Sequence, residues 1–153
     1  MKTRNGFVSN SSSSSFLVIN AKKGHITPKF PDVLVVDKNF GTYEFGWENR
    51  RYTSVKDLIV FAYLQAQYLE EKDDSKPLQM LEKVIKDHTG IKEIQWKFAG
   101  SWKDEDEDLP YAYIDHQSSA AEDENIECFE SEQTLKDFIF GYDSFIQGGN
   151  DNE

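Results

Sequence analysis

The sequence predicts an α+β fold with a mainly antiparallel sheet of about five to six strands, two central helices and one short C-terminal helix. Two observations lead to this prediction. Several short apolar or alternating segments are typical of strands, whereas two longer stretches have the three-to-four-residue spacing of helices. A chain of 153 residues with 14% aromatic content can build one hydrophobic core, so residues 1–153 are expected to form a single domain.

The first strands are predicted in the N-terminal third of the chain. Residues 16–19 and 33–36 are short apolar runs bounded by polar residues, glycine or proline. Tyr43, Phe45 and Trp47 alternate with polar or small neighbours, which is the period of a half-exposed strand. We expect these three strands to form a meander.

A long helix is predicted over residues 54–70. Ser54, followed three residues later by Asp57, resembles a capping box at its start. Phe61 and Tyr68 lie off the main apolar stripe, so this helix is apolar nearly all round. We therefore expect it either to lie deep in the core or to contact a partner.

Two further helices have recognisable ends. The second is predicted to begin near Ser75, with Pro77 in its first turn, and to stop at Gly90, which can adopt a left-handed conformation. The third is predicted to be capped by Ser131 and closed by Gly141. These positions give the last two of the three predicted helices.

The remaining segments are predicted as strands and loops. Residues 94–115 are interpreted as a hairpin around an acidic loop at 103–110, where adjacent carboxylates repel and disfavour a packed element. Residues 117–127 are interpreted as a loop, and residues 144–147 as a last edge strand. Residues 147–153 are expected to form a polar tail.

The chain opens with a serine-rich signature over residues 1–16, in which Asn5-Gly6 is expected to form a turn before five consecutive serines. The segment RNGFVSNSSSSSF, together with FIFGYDSFIQGGNDN at residues 138–152, resembles the two ends of uncharacterised proteins from tailed bacteriophages and prophages. The resemblance covers about a fifth of the chain and implies phage origin and expression in the host cytoplasm, but no activity. We expect the serines to form a self-bonded loop that packs against the C-terminal tail.

The net charge of −11 is concentrated in one part of the sequence. Residues 103–130 contain one lysine and eleven carboxylates, which leaves a charge of −10. Direct nucleic-acid binding needs a basic face and is therefore not expected. The acidic stretch could bind a basic partner surface, including one that normally holds nucleic acid, or it could be a solvated loop that keeps the protein in solution.

The predicted cellular location follows from the lack of membrane and secretion signals in the sequence. The sequence contains no apolar run long enough to span a membrane and no apolar signal segment. The single cysteine, Cys128, cannot form an internal disulfide and fits a reducing compartment. These features agree with a cytoplasmic location in the host cell.

Catalytic and metal-binding patterns are weak, so an enzyme is not the favoured interpretation. No nucleophile elbow or phosphate-binding lysine loop accompanies the serines. His88 is expected to be a packing or capping residue. Asp104, Asp106 and Asp108 have calcium-loop spacing, but Leu109 occupies the position that requires glycine. No metal or cofactor is expected.

Three functional hypotheses remain open. The first is an accessory protein that binds a host protein, as a takeover or anti-defence inhibitor; its candidate contact residues are Asp104, Glu105, Asp106, Glu107, Asp108, Phe61 and Tyr68. The second is a nucleotide- or phosphate-binding protein or enzyme that uses the serine-rich loop, with candidate ligands Arg4, Ser11, Ser12, Ser13 and Ser14. The third is a minor virion component, which would form an oligomer through an exposed apolar face.

Overall fold

Strands flank and separate three α-helices along the chain, and the predicted α+β class is confirmed. The described residues form eight strands, which is more than the five to six predicted. The computed structural model describes residues 2–7, 14–45, 50–72, 76–114 and 128–148, with the backbone alone described for 2–7, 14–15 and 71–72. Within these ranges the strands are β1 Lys2–Phe7, β2 Ser14–Ile19, β3 Val33–Val36, β4 Glu44–Phe45, β5 Arg50–Tyr52, β6 Glu93–Trp96, β7 Tyr113–Ile114 and β8 Phe145–Gly148. The helices are α1 Val55–Lys72, α2 Pro77–Thr89 and α3 Glu132–Phe140, with a 3₁₀ turn at Trp102–Asp104.

The largest sheet is antiparallel and joins the two ends of the chain. Its strand order is β1-β2-β8-β5, and Leu17 of β2 is paired with Ile146 of β8. Both side chains are buried, so the pairing contributes to the core. The expected contact between the N- and C-terminal segments is therefore present in these strands. The predicted contact between the serine loop and the tail at 149–153 lies outside the described residues.

Three local predictions about this sheet were wrong. Asn5 and Gly6 do not form a turn, because both lie within β1, opposite Phe16 and Ser15 of β2. The strand β1 was missed because its sequence is mostly polar and lacks an apolar period. The strand β8 is not an edge strand, since β2 and β5 pair with its two sides.

The other four strands form two small parallel pairs, β3 with β6 and β4 with β7. The predicted meander was therefore wrong, because β2, β3 and β4 belong to three different sheets. The predicted hairpin at 94–115 was also wrong, because β6 and β7 pair with other strands. One backbone hydrogen bond still closes this segment, from the N–H of Ala99 to the carbonyl of Pro110 at 2.9 Å.

Helix α1 lies deep in the core, which is one of the two alternatives predicted for it. Six consecutive residues at 58–63 are buried, so every face of the helix is covered over more than one turn. The Oγ of Ser54 accepts from the N–H of Asp57 at 3.1 Å, as the predicted cap requires. The Asp57 carboxylate does not return to Ser54; it accepts from the N–H of Thr42 at 2.7 Å and connects the helix to the preceding loop.

Helices α2 and α3 have the predicted ends. Gly90 is left-handed, with φ 79°, and its N–H donates to the carbonyl of Lys86. Ser131 caps α3 by accepting from the N–H of Thr134 at 3.0 Å. The edge-to-face rings of Phe61 and Phe138, with centroids 6.1 Å apart, join α3 to α1.

Candidate functional site

The acidic segment at residues 102–110 is a loop whose two ends are held together by a backbone hydrogen bond. It begins with the 3₁₀ turn Trp102–Asp104 and returns through Leu109, which is half-buried, to Pro110, which is buried. The hydrogen bond from the N–H of Ala99 to the carbonyl of Pro110 closes the base of the loop. Residues 102–108 are exposed without exception, so the loop presents its side chains to solvent while its base is anchored.

Asp106 holds the tip of the loop together. Its Oδ1 accepts from the N–H of Asp108 at 2.9 Å and from the N–H of Leu109 at 2.8 Å. The backbones of Asp106 and Leu109 also exchange hydrogen bonds in both directions. The carboxylate of Asp106 therefore satisfies loop donors, as aspartates commonly do in turns, and is less available to a partner than its neighbours.

The other four carboxylates differ in how they are used. Glu105 accepts from the N–H of Tyr111 at 3.1 Å, and Asp104 accepts from the hydroxyl of Ser101 at 3.2 Å. No described residue donates to the Glu107 carboxylate, whereas the ammonium of Lys38 lies 3.4 Å from Asp108. Because the side chain of Asp108 is 95% exposed, this ion pair is screened by water and contributes little.

Trp102 lies at the start of the loop and is 67% exposed, which makes it one of the few large exposed hydrophobic residues of the described chain. The ammonium of Lys103 lies 5.6 Å from the ring centroid. An exposed tryptophan beside several carboxylates combines an apolar anchor with negative charge. Sequence reasoning missed Trp102, although its position directly before the charged run was a usable signal.

The other two predicted contact residues, Phe61 and Tyr68, lie on helix α1. Phe61 is fully buried in the core, so its side chain is not part of any surface and the partner role predicted for it was wrong. Tyr68 is half-buried on α1 and does not adjoin the acidic loop in the chain. Of the predicted partner-binding residues, Phe61 is therefore removed, whereas Tyr68 and the acidic loop stay predictions.

The predicted phosphate-binding residues lie mostly outside what can be described. The backbone of Arg4 pairs with Leu17, and that of Ser14 pairs with Phe7. Ser14 is therefore part of a strand rather than of a loop. The remaining candidates, Ser11, Ser12 and Ser13, lie outside the described residues.

A search of protein-family models, of characterised proteins and of solved structures finds no match to this chain. Its function must therefore be inferred from its own residues. No helix in the described part of the chain is long and apolar enough to cross a membrane. Within the same residues, no group of three or more His, Cys, Asp or Glu side chains is placed to hold a metal ion.

Two histidines form a second polar cluster, which the sequence did not predict. His25 Nε2 lies 2.7 Å from Oδ1 of Asp137, and its ring lies edge-on to His88 at 5.8 Å. The Nε2 of His88 donates to the carbonyl of Ile26 at 2.9 Å, and its ring packs on Phe140 at 4.3 Å. His88 is thus the packing residue that was predicted.

The cluster joins the loop after β2 to α2 and α3. A shallow cleft of about 500 Å³ lies beside it, lined in part by Lys22, His25 and Asp137. A histidine–carboxylate pair can orient an imidazole for proton transfer. Two hydroxyls contact the cluster: the Oγ of Ser144 is buried and donates to the carbonyl of Asp137 at 2.6 Å, and the Oγ1 of Thr27 lies 3.1 Å from Nε2 of His88. The contacts of the cluster connect the loop after β2 with α2 and α3.

Tyr63, which is buried in another part of the core, has a perturbed pKa. Burial raises the pKa of Tyr63 above its usual value, and the negative charges of Glu70 and Glu82 raise it further. The ring stacks on Trp96 at 4.3 Å, and Gln67 donates to the phenol oxygen at 3.0 Å. The ring is thus held in the core by stacking and by one hydrogen bond, and its ionisation is displaced to higher pH.

Proposed function

We propose that this protein acts by binding the basic surface of another protein through the exposed part of the acidic loop, residues 102–108. The observation that carries the proposal is the exposed Trp102 beside exposed carboxylates on a loop whose base is fixed by hydrogen bonds. A loop that already has one shape loses less conformational entropy on binding than a flexible one. The resemblance of the chain ends to phage proteins favours a host protein as the partner.

The charge balance supports a basic partner rather than a nucleic acid. The chain carries −11, and the exposed Asp104, Glu107 and Asp108 lie within five residues of each other. Like charges repel a phosphate backbone, whereas complementary charges attract and orient a basic protein surface. A partner that normally holds nucleic acid has such a surface, so competition between this protein and nucleic acid is the expected mode of inhibition.

Affinity capture from a bacterial lysate tests the proposal with three variants. The first neutralises the loop by Asp104→Asn, Glu107→Gln and Asp108→Asn, and leaves Asp106 intact because it holds the turn. A matched control neutralises three exposed residues elsewhere, Glu44, Asp87 and Glu132. Both variants carry the same net charge; the loop variant loses the exposed Lys38–Asp108 pair, and the control loses the exposed pairs of Lys83 with Asp87 and Glu132.

The expected result is a partner retained by the wild type and by the control but lost or reduced with the loop variant. Three exposed ion pairs at roughly 0.2–1 kcal/mol each correspond to a loss of about 3-fold to 150-fold in affinity. The third variant, Trp102→Ala, should cost about 2 kcal/mol, or roughly 30-fold, if the ring is an anchor. Equal retention by all variants would remove the loop from the binding surface.

The other two hypotheses stay predictions. Phosphate binding depends on Ser11, Ser12 and Ser13 together with the side chain of Arg4, and none of these is described. A virion role depends on an oligomer, for which sedimentation of the purified protein is the direct measurement. Of the three candidate sites, the acidic loop is the one whose geometry the structure describes.

A further inference from the structure

The parallel pair β3–β6 has an outer face on which two exposed valines of β3 lie opposite Glu93 and Gln95 of β6. Its inner face carries Leu34 and Val36, which are buried, whereas Val33 and Val35 on the outer face are 42% and 39% exposed. Parallel strands are usually covered on both faces. Two exposed β-branched side chains on a parallel pair are therefore unusual and indicate a surface that something else can cover.

Among the described residues, one edge of β3 is also without a pairing strand. The carbonyls of Asp32 and Val36 accept from the N–H groups of Glu93 and Lys97, at 3.1 and 2.8 Å. A parallel ladder uses both polar groups of every second residue, so Val33 and Val35 direct their N–H and C=O groups away from β6. Within the described chain no residue bonds these four groups.

The charges around this edge select the occupant. Asp32 and Asp37 lie immediately before and after β3, and Glu93 is opposite Val33 on the outer face. Lys92 and Lys97 flank β6, the strand that pairs with the opposite edge of β3. A second copy of this chain would bring its own Asp32 and Asp37 to the same edge, which like-charge repulsion opposes. An extended segment with basic residues at both ends is complementary.

We propose that the free edge of β3 binds an extended segment of the partner as an added antiparallel or parallel strand. Backbone hydrogen bonds to Val33 and Val35 supply affinity, and alternate apolar side chains of the partner cover the same two residues. The acidic loop lies close to this edge, because Lys38, two residues after β3, donates to the carbonyl of Glu107 at 2.8 Å. The inference rests on the proposed function in taking the partner to be basic, and it adds how that partner binds.

A blocked peptide, Lys-Val-Thr-Val-Lys, is the probe, and amide chemical shifts of the full chain are the measurement. Titration to millimolar concentration should shift the amide signals of Val33 and Val35 and saturate. A peptide with glutamate at both ends should bind at least about fivefold more weakly. The peptide titration is repeated with the loop-neutralised variant, in which the shifts at Val33 and Val35 should persist. Failure of the loop proposal and failure of strand addition therefore give different results.

Two substitutions test the edge itself. Val35→Pro removes an outward N–H without touching the ladder to β6, and should weaken peptide binding at least about fivefold. Val35→Lys keeps the N–H, repels the basic peptide and remains informative if the proline variant does not fold. Val35→Thr is the control, with binding unchanged.

Three results would overturn the inference. The first is the absence of a shift at Val33 and Val35 at millimolar peptide. The second is equal binding of the acidic peptide or of the Val35→Lys variant. The third is a shift of these signals with protein concentration alone, which would assign the edge to a second copy of the chain.

Discussion

Replacing Gly141 by alanine should destabilise the protein for a reason of space rather than of backbone conformation. The residue has φ −61°, which alanine adopts readily. An alanine Cβ would, however, meet the carbonyl oxygen of Asp137, lie 2.5 Å from that of Asn20 and lie 2.8 Å from Oγ of Ser144. Two of these three atoms belong to the backbone and cannot rotate away.

The magnitude follows from what must move. Overpacking costs about 1–3 kcal/mol, and each hydrogen bond lost adds roughly 0.5–1.5 kcal/mol. The bonds at risk are the 2.8 Å contact from Asn20 N–H to Ser144 and the 2.9 Å contact from Gly141 N–H to Asp137. Reduced freedom of the unfolded chain returns about 0.4–1 kcal/mol. The net loss should be about 2–4 kcal/mol.

Urea denaturation followed by tryptophan fluorescence measures this loss, and the melting temperature should fall by roughly 5–15 °C. Gly100→Ala is the matched control, because a Cβ there meets no atom within 4 Å. The control should be neutral or slightly stabilising. If Gly141→Ala unfolds at the same urea concentration as Gly100→Ala, the account of this junction is wrong.

Three other substitutions or titrations test the core. Phe61→Ala should lower the free energy of unfolding by about 3–5 kcal/mol, because the side chain is fully buried between two other rings; a loss below about 1 kcal/mol in urea denaturation would contradict its place in the core. Asp57→Ala should cost about 1–3 kcal/mol by leaving the N–H of Thr42 without its acceptor, and restored stability in Asp57→Asn is the check. Tyr63 should ionise above pH 10.0, because its pKa is raised by burial and two nearby glutamates. The raised pKa contributes stability that is fully present below the pKa of Tyr63 in the unfolded chain and is lost as the pH rises through its pKa in the folded protein. Because phenylalanine does not ionise, Tyr63→Phe should resist alkaline unfolding better than the wild type. The difference in absorbance at 295 nm between the two proteins gives the midpoint, and a midpoint at or below 10 would refute the assignment.

The helices could be predicted from the sequence because their signals are local. Ser54, Ser131 and Gly90 each bond within four residues, and the apolar spacing identifies the buried faces. Strand pairing could not be predicted, because it joins residues far apart in the chain. The strand β1 is mostly polar, and its place is fixed by pairing with β2 rather than by its own pattern.

For the candidate site, the sequence predicted the location of the acidic loop but not its internal contacts. The charge run identified the acidic loop, but not the different roles of its carboxylates, since the turn around Asp106 depends on backbone geometry. The exposure of Trp102 could not be inferred from its residue type, because most tryptophans are largely buried. The pair of His25 and Asp137 joins residues 112 positions apart and has no sequence signal.

The salt dependence of binding to the captured partner tests the central claim most directly. Isothermal titration of the wild type, the loop-neutralised variant and the matched control at several salt concentrations gives the three slopes. The wild type and the control should lose affinity steeply as salt rises, whereas the loop variant should bind more weakly at low salt and respond less to added salt. Identical slopes for all three proteins would contradict the assignment of binding to residues 102–108.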